Sequence, residues 1–477
     1  MQKTKKINIY ILAVIVIIFV FCKMLELLLQ DANYMKQQTI ILTVAILVYL
    51  VLLLSIRKTS HKIDIFFVYI FLGFFFAFGQ HLLLVVWRIN CFNQALLENS
   101  IIKAGYWHIY AALFTCFGYF IVPQENKVSK GVCNDKIVKC IATLFLCISI
   151  VPYVLQAISN IMITKTSGYG YRIVENNNNA SLIGILSGFC LPAITLLYFS
   201  VKGKAKKYML ILIVLCLGMQ LLAGTRIASV CYLVVLTYWK YTEIDDKRKK
   251  MKFYIAGGIL GVAAISLFSL ISYDRSALSN VRNLADLIHH ISSYNEHGTI
   301  LKSVLEEVGS NFQVLACAIQ NCPQNVKYNY GYSYLYSIVY IVPNALTRFF
   351  FPVCVNTDSA LAHFLVPYGG IGSSFAAEAY YNFGQGGLIY LVIWGMIWRV
   401  LCNYMKRVRL NDNIVGAFVA FEISIEMIFT VRSDVVYLLR NLVWNVGVIV
   451  FVIYIVNNVI RNSKISSLIL PNGVGVK

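Results

Sequence analysis

The stretch INIYILAVIVIIFVFCKMLELLL, residues 7–29, decides the fold. It is a nearly unbroken apolar run, and about 20 such residues cross the ~30 Å of bilayer hydrocarbon as a helix. Lys3, Lys5 and Lys6 precede it, as they would precede a secretory signal. Its length, the lack of a small-residue cleavage site, and Lys23 and Glu26 inside it identify a retained helix instead. Runs of the same kind recur at 38–56, 64–87, 104–122, 137–158, 181–200, 208–223, 227–241, 253–271, 386–404, 413–431 and 441–460. Continuous runs exclude the alternating pattern of a barrel, and a helix satisfies its own backbone polar groups in lipid. The expected fold is therefore an all-α polytopic membrane protein with about twelve transmembrane helices.

Composition agrees. Of the 477 residues, 59% are hydrophobic and only 13% charged, against about a quarter charged in a soluble domain. A net charge of +20 raises the question of nucleic acid, but its placement answers it. The positive charges cluster at every second boundary: Arg57, Lys58 and Lys62; Lys127, Lys130, Lys136 and Lys139; Lys202, Lys204, Lys206 and Lys207. Lys247, Arg248, Lys249, Lys250 and Lys252 follow, then Lys406, Arg407 and Arg409, and last Arg461 and Lys464. Lys and Arg accumulate in cytoplasmic loops, so both termini are expected to be cytoplasmic, and no nucleic-acid partner is expected.

Three stretches result: spans in 1–271, a large extracytoplasmic loop at 272–385, and the last spans and tail in 386–477. A connection that long carries structure or function of its own. Within it, Leu284, Leu287, Ile288 and Ile291, then Ile300, Val304, Leu305 and Val308, predict amphipathic helix over 283–317. The segment 328–351 is dense in Tyr, Phe and Ile, broken by Pro343 and ended near Pro352. Such a segment is expected to lie on the outer leaflet or dip into it, where aromatic residues favour the interface. The 13 cysteines fall mainly in or beside spans; Cys91, Cys317, Cys322 and Cys354 are those placed on the oxidising side, and no spacing dictates a pair.

No phosphate-binding GxxxxGK[ST] loop, HExxH or CxxC is present, so neither cofactor nor metal is expected. The chemistry instead points to polar residues at the outer membrane face. Arg226, in AGTR, falls between two spans with almost no loop. A charge so near the hydrocarbon is a functional candidate by default; the alternative is snorkelling to lipid headgroups. Arg172 ends GYGYR, where tyrosine plus arginine suits a sugar ring and a diphosphate, or an ordinary interfacial loop. The large loop holds Arg275, Arg282, His289, His290, Glu296, His297, Arg348, Asp358 and His363, an inventory of acids, bases and cations. Glu378 lies among small and aromatic residues directly before a span, where it could position a sugar hydroxyl, pair with Arg226, or complement a helix dipole. Arg432, Asp434 and Arg440 form a further outer cluster, and Glu422 and Glu426 sit one turn apart inside a span.

Three stretches carry a family resemblance: LLAGTR at 221–226, IVPNALTR at 341–348, and the run 370–387 with Glu378, Tyr380, Asn382, Phe383, Gly384 and Gly387. In order and placement they resemble the oligosaccharide repeat-unit polymerases of the Wzy type, the O-antigen polymerases. The resemblance implies a GT-C-like, metal-independent glycosyltransferase of the bacterial inner (cytoplasmic) membrane. Such an enzyme moves a growing glycan from its undecaprenyl diphosphate onto a hydroxyl of the incoming lipid-linked unit, in O-antigen or capsule synthesis. The family uses arginines in two outer loops, which makes Arg172 and Arg226 catalytic candidates. The acceptor hydroxyl needs a base, for which Glu378, His363 or Asp358 are the candidates. Arg275, Arg348, Tyr380, Asn382 and Arg432 become candidates for holding substrate. Expected partners are the undecaprenyl-diphosphate-linked oligosaccharide, membrane lipid, and the chain-length regulator and flippase of the same pathway.

Two rivals remain open from the sequence. A flippase for lipid-linked sugars also has about a dozen helices, but works by rocking two related halves, and no internal repeat is visible here. A ligase moving finished glycan to another acceptor shares the architecture and the chemistry. A membrane scaffold is disfavoured by the charges at the outer face.

Overall fold

The computed structural model of the protein describes residues 2–60, 63–124, 134–167, 182–244, 246, 248, 250, 252, 300–342, 360–365 and 372–462. Among them there is no strand. The first helices are α1 (Gln2–Leu28), α2 (Tyr34–Ser60), α3 (Ile65–Trp87), α4 (Glu98–Ile121) and α5 (Asp135–Ser167). Next come α6 (Leu182–Gly188), α7 (Cys190–Ser200), α8 (Lys204–Leu222) and α9 (Arg226–Glu243). Shorter elements follow: α10 (Ile300–Gly309), α11 (Phe312–Asn321), α12 (Tyr332–Val339) and α13 (Phe375–Phe383). The chain ends with α14 (Gly387–Leu410), α15 (Ile414–Phe429), α16 (Val436–Asn441) and, after a π turn, α17 (Val448–Asn462).

Among the described residues, eight helical stretches are long and apolar enough to cross a membrane: Asn8–Leu28, Tyr34–Thr59, Ile65–Trp87, Asp135–Thr164, Leu182–Ser200, Lys204–Leu222, Phe375–Leu410 and Val436–Ile460. The protein is thus an all-helical, polytopic membrane protein. The expected runs at 104–122, 227–241 and 413–431 fall on α4, α9 and α15, which are not among the eight. For α4 the reason is physical: it is buried along most of its length and carries His108 and Thr115 inward, so its neighbours rather than lipid set its composition. The run 253–271 lies outside the described residues. On α1, Ile9, Val16, Ile17, Val20, Phe21, Met24 and Leu28 all remain exposed, an apolar face that water would not tolerate and lipid does.

The chain divides into two compact units that cut across the three stretches read from topology. One comprises Met1–Glu125, Cys231–Asn403 and Ser424–Arg440. In it α1 packs on α2 and α4, α2 on α3 and α4, α10 on α3, and α11 on α4 and α13. Gly118 and Gly395 let α4 and α14 touch backbone to backbone: a Cβ on Gly118 would collide with the Val392 carbonyl, and one on Gly395 with that of Thr115. Small residues permit this approach between membrane helices. The other unit comprises Asn126–Val230, Tyr404–Ile423 and Asn441–Lys477. Its core is apolar, with Ile137, Val138, Leu196, Phe418, Ile449 and Ile453 buried, and α5 packs on α6, α7, α8 and α17.

The amphipathic helix expected over 283–317 lies outside the described residues up to 299. The rest is two helices broken at Ser310 and Asn311. Of these, α10 is one-sided, with Leu305 buried and Leu301 exposed. By contrast α11 buries every residue from Phe312 to Ala318, because it inserts among α4 and α13 instead of lying on a surface. In 328–351 the described helix is α12, whose exposed side carries Leu335 and Ile338 and whose buried side carries Ser333, Tyr336 and Ser337.

Candidate functional site

The site grows from the start of α13. Ser374 is extended (φ −143°, ψ 148°) and caps the helix, its hydroxyl accepting from the Ala377 N–H at 3.1 Å, as a Ser at this position does. The cap places Glu378 on the first turn with its side chain pointing inward, 0% exposed. A buried carboxylate must have its oxygens satisfied. Here Ser333 Oγ donates to Oε1 at 2.8 Å, and the Val435 N–H donates to Oε2 at 2.8 Å. One turn on, Asn382 Nδ2 donates to Ser333 Oγ and to the Glu378 carbonyl, both at 2.8 Å. Asn382 Oδ1 accepts from the Gly331 N–H at 3.0 Å. Glu378 and Asn382 thereby tie the start of α12, the α13 helix and the segment before α16 into one node.

A second polar layer lies beside it. Asn311, between α10 and α11, donates to the Ser373 carbonyl at 3.0 Å and to the Val431 carbonyl at 3.3 Å. The Phe375 N–H donates to the Thr430 carbonyl at 3.1 Å. Gly372 has φ +85°, and a Cβ there would stand 3.0 Å from Asn311 Oδ1 and 3.3 Å from Arg432 Nε. Arg432 therefore lies against this turn, and its Nη1 is 3.8 Å from Glu307 Oε1. Asp434, one residue before the amide that serves Glu378, is buried. A cavity of about 60 Å³ opens among Tyr69, His108, Thr115, Asn311, Ser374 and Thr430. That is room for a few waters.

The sequence candidates distribute unevenly. Glu378, Asn382 and Tyr380 come together, with the Tyr380 ring 6.3 Å from that of Tyr328. Arg432 lies at the Gly372 turn of the same unit. His363 is exposed in a single turn, Ala362–Phe364. That turn is held by Asn93 Nδ2 donating to the Leu365 carbonyl at 2.7 Å. Arg226 opens α9 in the other unit, after the tight turn expected there. Gly224 has φ +87°, and the Thr225 hydroxyl donates to the Gln220 carbonyl at 2.8 Å. Arg172, Arg275, Arg348 and Asp358 lie outside the described residues. Arg440 stacks on Tyr340, its guanidinium carbon 4.4 Å from the ring centroid. Glu422 is buried. Cys91, Cys317 and Cys322 are free thiols; burial pushes Cys322 up to about 11, and Cys354 lies outside the described residues.

Sequence reading missed Ser333, Asn311 and the Val435 amide, none of which has a spacing signal. It also missed a buried triad. Asp64 caps α3, accepting from the Phe67 N–H at 3.1 Å, while Tyr119 donates to its other oxygen at 2.5 Å. Arg399 Nη1 donates to Tyr119 Oη at 2.7 Å and is only 1% exposed. Arg399, an ionisable residue inside an expected span, was the available signal.

A family model described as O-antigen polysaccharide polymerase Wzy matches residues 7–464. No curated protein and no solved structure gives a match. With polytopic helices, and a match over nearly its whole length, the chain belongs to the O-antigen polysaccharide polymerase Wzy family.

Proposed function

We propose that the protein polymerises undecaprenyl-diphosphate-linked oligosaccharide repeat units at the outer face of the bacterial inner membrane. Family membership supports a polysaccharide polymerase, and the observation that carries the finer reading is the Glu378 node. A fully buried carboxylate binds together three segments that the charge pattern predicts to lie on the extracytoplasmic side. In the reaction, a hydroxyl oxygen of the incoming unit attacks the anomeric carbon of the growing chain. The bond from that carbon to the diphosphate breaks, and the diphosphate leaves on its lipid. Charge developing on the leaving oxygen needs cations. Arg432, Arg226, Arg172, Arg275 and Arg348 are the proposed sources. The acceptor proton needs a base within reach, and the exposed imidazole of His363 is proposed for it.

Glu378 fits positioning better than proton transfer, since both its oxygens are already engaged. Tyr380 and Asn382 are proposed to shape the acceptor side. The apolar exposed side of α12, with Leu335 and Ile338, suits contact with lipid tails in a GT-C-like arrangement of about twelve spans with cytoplasmic termini. The chain-length regulator and flippase of the same pathway are the proposed protein partners.

The test uses purified protein with synthetic cognate lipid-linked repeat units. Longer glycans together with released undecaprenyl diphosphate support the polymerase. No lengthening, with transfer of the units across proteoliposome membranes, makes it a flippase; transfer to a different acceptor makes it a ligase.

A further inference from the structure

We propose that Tyr330 is a sugar-stacking residue that seats the oligosaccharide acceptor beside the Glu378 node, a role that rests on the polymerase reading above. Its backbone carries the first argument. Tyr330 has φ +47°, a left-handed conformation that a bulky residue rarely adopts, and Gly331 beside it has φ +84°. Three hydrogen bonds hold the turn there. The Asn329 N–H donates to the Tyr381 carbonyl, the Tyr330 N–H to the Asn382 carbonyl, and the Gly331 N–H to Asn382 Oδ1, each at 3.0 Å. The strained residue is thus fixed directly on the helix that carries Glu378 and Asn382. Backbone strain of this kind persists only where the surroundings over-determine it, and it concentrates at functional sites.

The second argument is that the strain is not repaid by packing. Tyr330 is 76% exposed, so the fold holds an aromatic ring outward in a conformation better suited to glycine. Its ring stands edge-on to Tyr328, with centroids 6.3 Å apart and planes at 80°, and Tyr328 meets Tyr380 at 6.3 Å and 70°. The rings step from the exposed Tyr330 through the half-buried Tyr328 to the buried Tyr380 on α13. Lys327, three residues before Tyr330 in the chain, is exposed.

This is the chemistry of a pyranose site. One face of a sugar ring is a patch of C–H groups that packs on an aromatic plane, and its rim of hydroxyls takes hydrogen bonds from amide and ammonium groups. Tyrosine supplies that rigid amphipathic contact at low entropic cost. An exposed aromatic platform tied to the node offers a sugar such a plane. A tyrosine anchoring the turn in lipid headgroups is the competing role, and Tyr330→Leu separates the two.

The experiment places each variant in a strain deleted for this gene and reads polymer ladders. It also reads the thermal midpoint of the purified full-length protein in detergent. Tyr330→Phe should rescue the ladder, because stacking needs the ring. Tyr330→Leu and Tyr330→Ala should cut polymer yield roughly tenfold with the midpoint retained. Tyr330→Gly relieves the backbone, so its midpoint should hold or rise while its polymer yield falls as in Ala. With lipid-linked repeat units extracted from the deletion strain, the loss should fall mainly on KM. Wild-type yield in Tyr330→Leu assigns the ring to the membrane and overturns the proposal. Wild-type yield in Tyr330→Ala, or a loss that tracks a lowered midpoint, overturns it too. If the unaltered gene fails to restore ladders, the polymerase reading falls first and takes this one with it.

Discussion

Ser333 Oγ and Glu378 Oε1 lie 2.8 Å apart although 45 residues separate them in the chain. The same hydroxyl accepts from Asn382 Nδ2 at 2.8 Å. Its single proton is therefore committed to the carboxylate while its lone pair takes the amide. The direction of each bond is fixed, and with it the placement of α12 against α13. Buried polar networks of this kind specify one arrangement when every member is satisfied.

Glu378→Ala should leave the Ser333 hydroxyl and the Val435 N–H without their acceptor, at about 1–3 kcal/mol for each orphaned group. The variant should still insert in the membrane, show a lowered thermal midpoint in detergent, and make no polymer ladder. Ser333→Ala should cost less, since Glu378 keeps the Val435 bond and Asn382 keeps its bond to the Glu378 carbonyl. Combining the two should cost less than the sum of the singles, as contacting groups do. Strict additivity of the midpoints would remove the node from the account.

Much of the fold was legible because the bilayer writes it into composition: among the described residues, eight stretches long enough to span coincide with apolar runs. Glu378 was legible for a related reason, an acid among small and aromatic residues at the start of a span. Ser333 was not, being one hydroxyl in a tyrosine-rich stretch whose partner lies far along the chain. Nor was the interior position of α11, whose apolar spacing suits an interfacial helix as well as a buried one. Periodicity reports which side is apolar, and not whether lipid or protein covers it. Asp64, Tyr119 and Arg399 carry no joint pattern, since three different helices bring them together.

Tyr119→Phe should remove the hydroxyl that joins Asp64 to Arg399. It would take one hydrogen bond from Asp64 and one from the Arg399 guanidinium, at about 1 kcal/mol apiece. Fluorescence-detected size exclusion after heating in mild detergent should show a lower midpoint. Asp64→Asn combined with Arg399→Met removes both charges, and replacing a buried charged set with neutral groups of similar volume is close to neutral. That double variant should therefore be more stable than Arg399→Ala alone, which leaves the carboxylate buried. The reverse order would mean that the triad is not a charge pair bridged by Tyr119.

Helix approach at Gly118 and Gly395 makes a sharper structural prediction. Alanine at either position drives a Cβ into a backbone carbonyl on the facing helix, which cannot swing aside as a side chain does. Gly395→Ala should lower the detergent midpoint markedly, and Gly395→Leu should abolish folded protein. Gly73, also in a membrane helix, has nothing within 4 Å of its Cβ position. Gly73→Ala should be neutral or stabilising by up to about 1 kcal/mol, from helix propensity alone. Equal damage at Gly73 and Gly395 would show that close backbone packing is not the cause.

Cys91 offers a measurement that depends on pH. It is half-buried in the connection between α3 and α4, outside the expected spans, and burial followed by the nearby Glu306 carboxylate pushes its thiol from 9.0 to about 11. The thiolate is the reactive form, and a raised pKa makes it scarcer at any pH below that value. At pH 8 a thiol at the ordinary value is roughly one-tenth ionised, and Cys91 roughly one-thousandth, so alkylation should run about a hundredfold slower at equal access. The rate should climb about tenfold per pH unit from 8 to 10, where an ordinary thiol has begun to level off. Site-resolved mass spectrometry after brief iodoacetamide treatment reads Cys91 apart from the other cysteines. Glu306→Gln should speed labelling below pH 10 by removing the negative charge, while leaving the burial contribution in place. A rate that levels near pH 9 in the unaltered protein would mean that Cys91 stands in water, and that the connection between α3 and α4 is not packed as described.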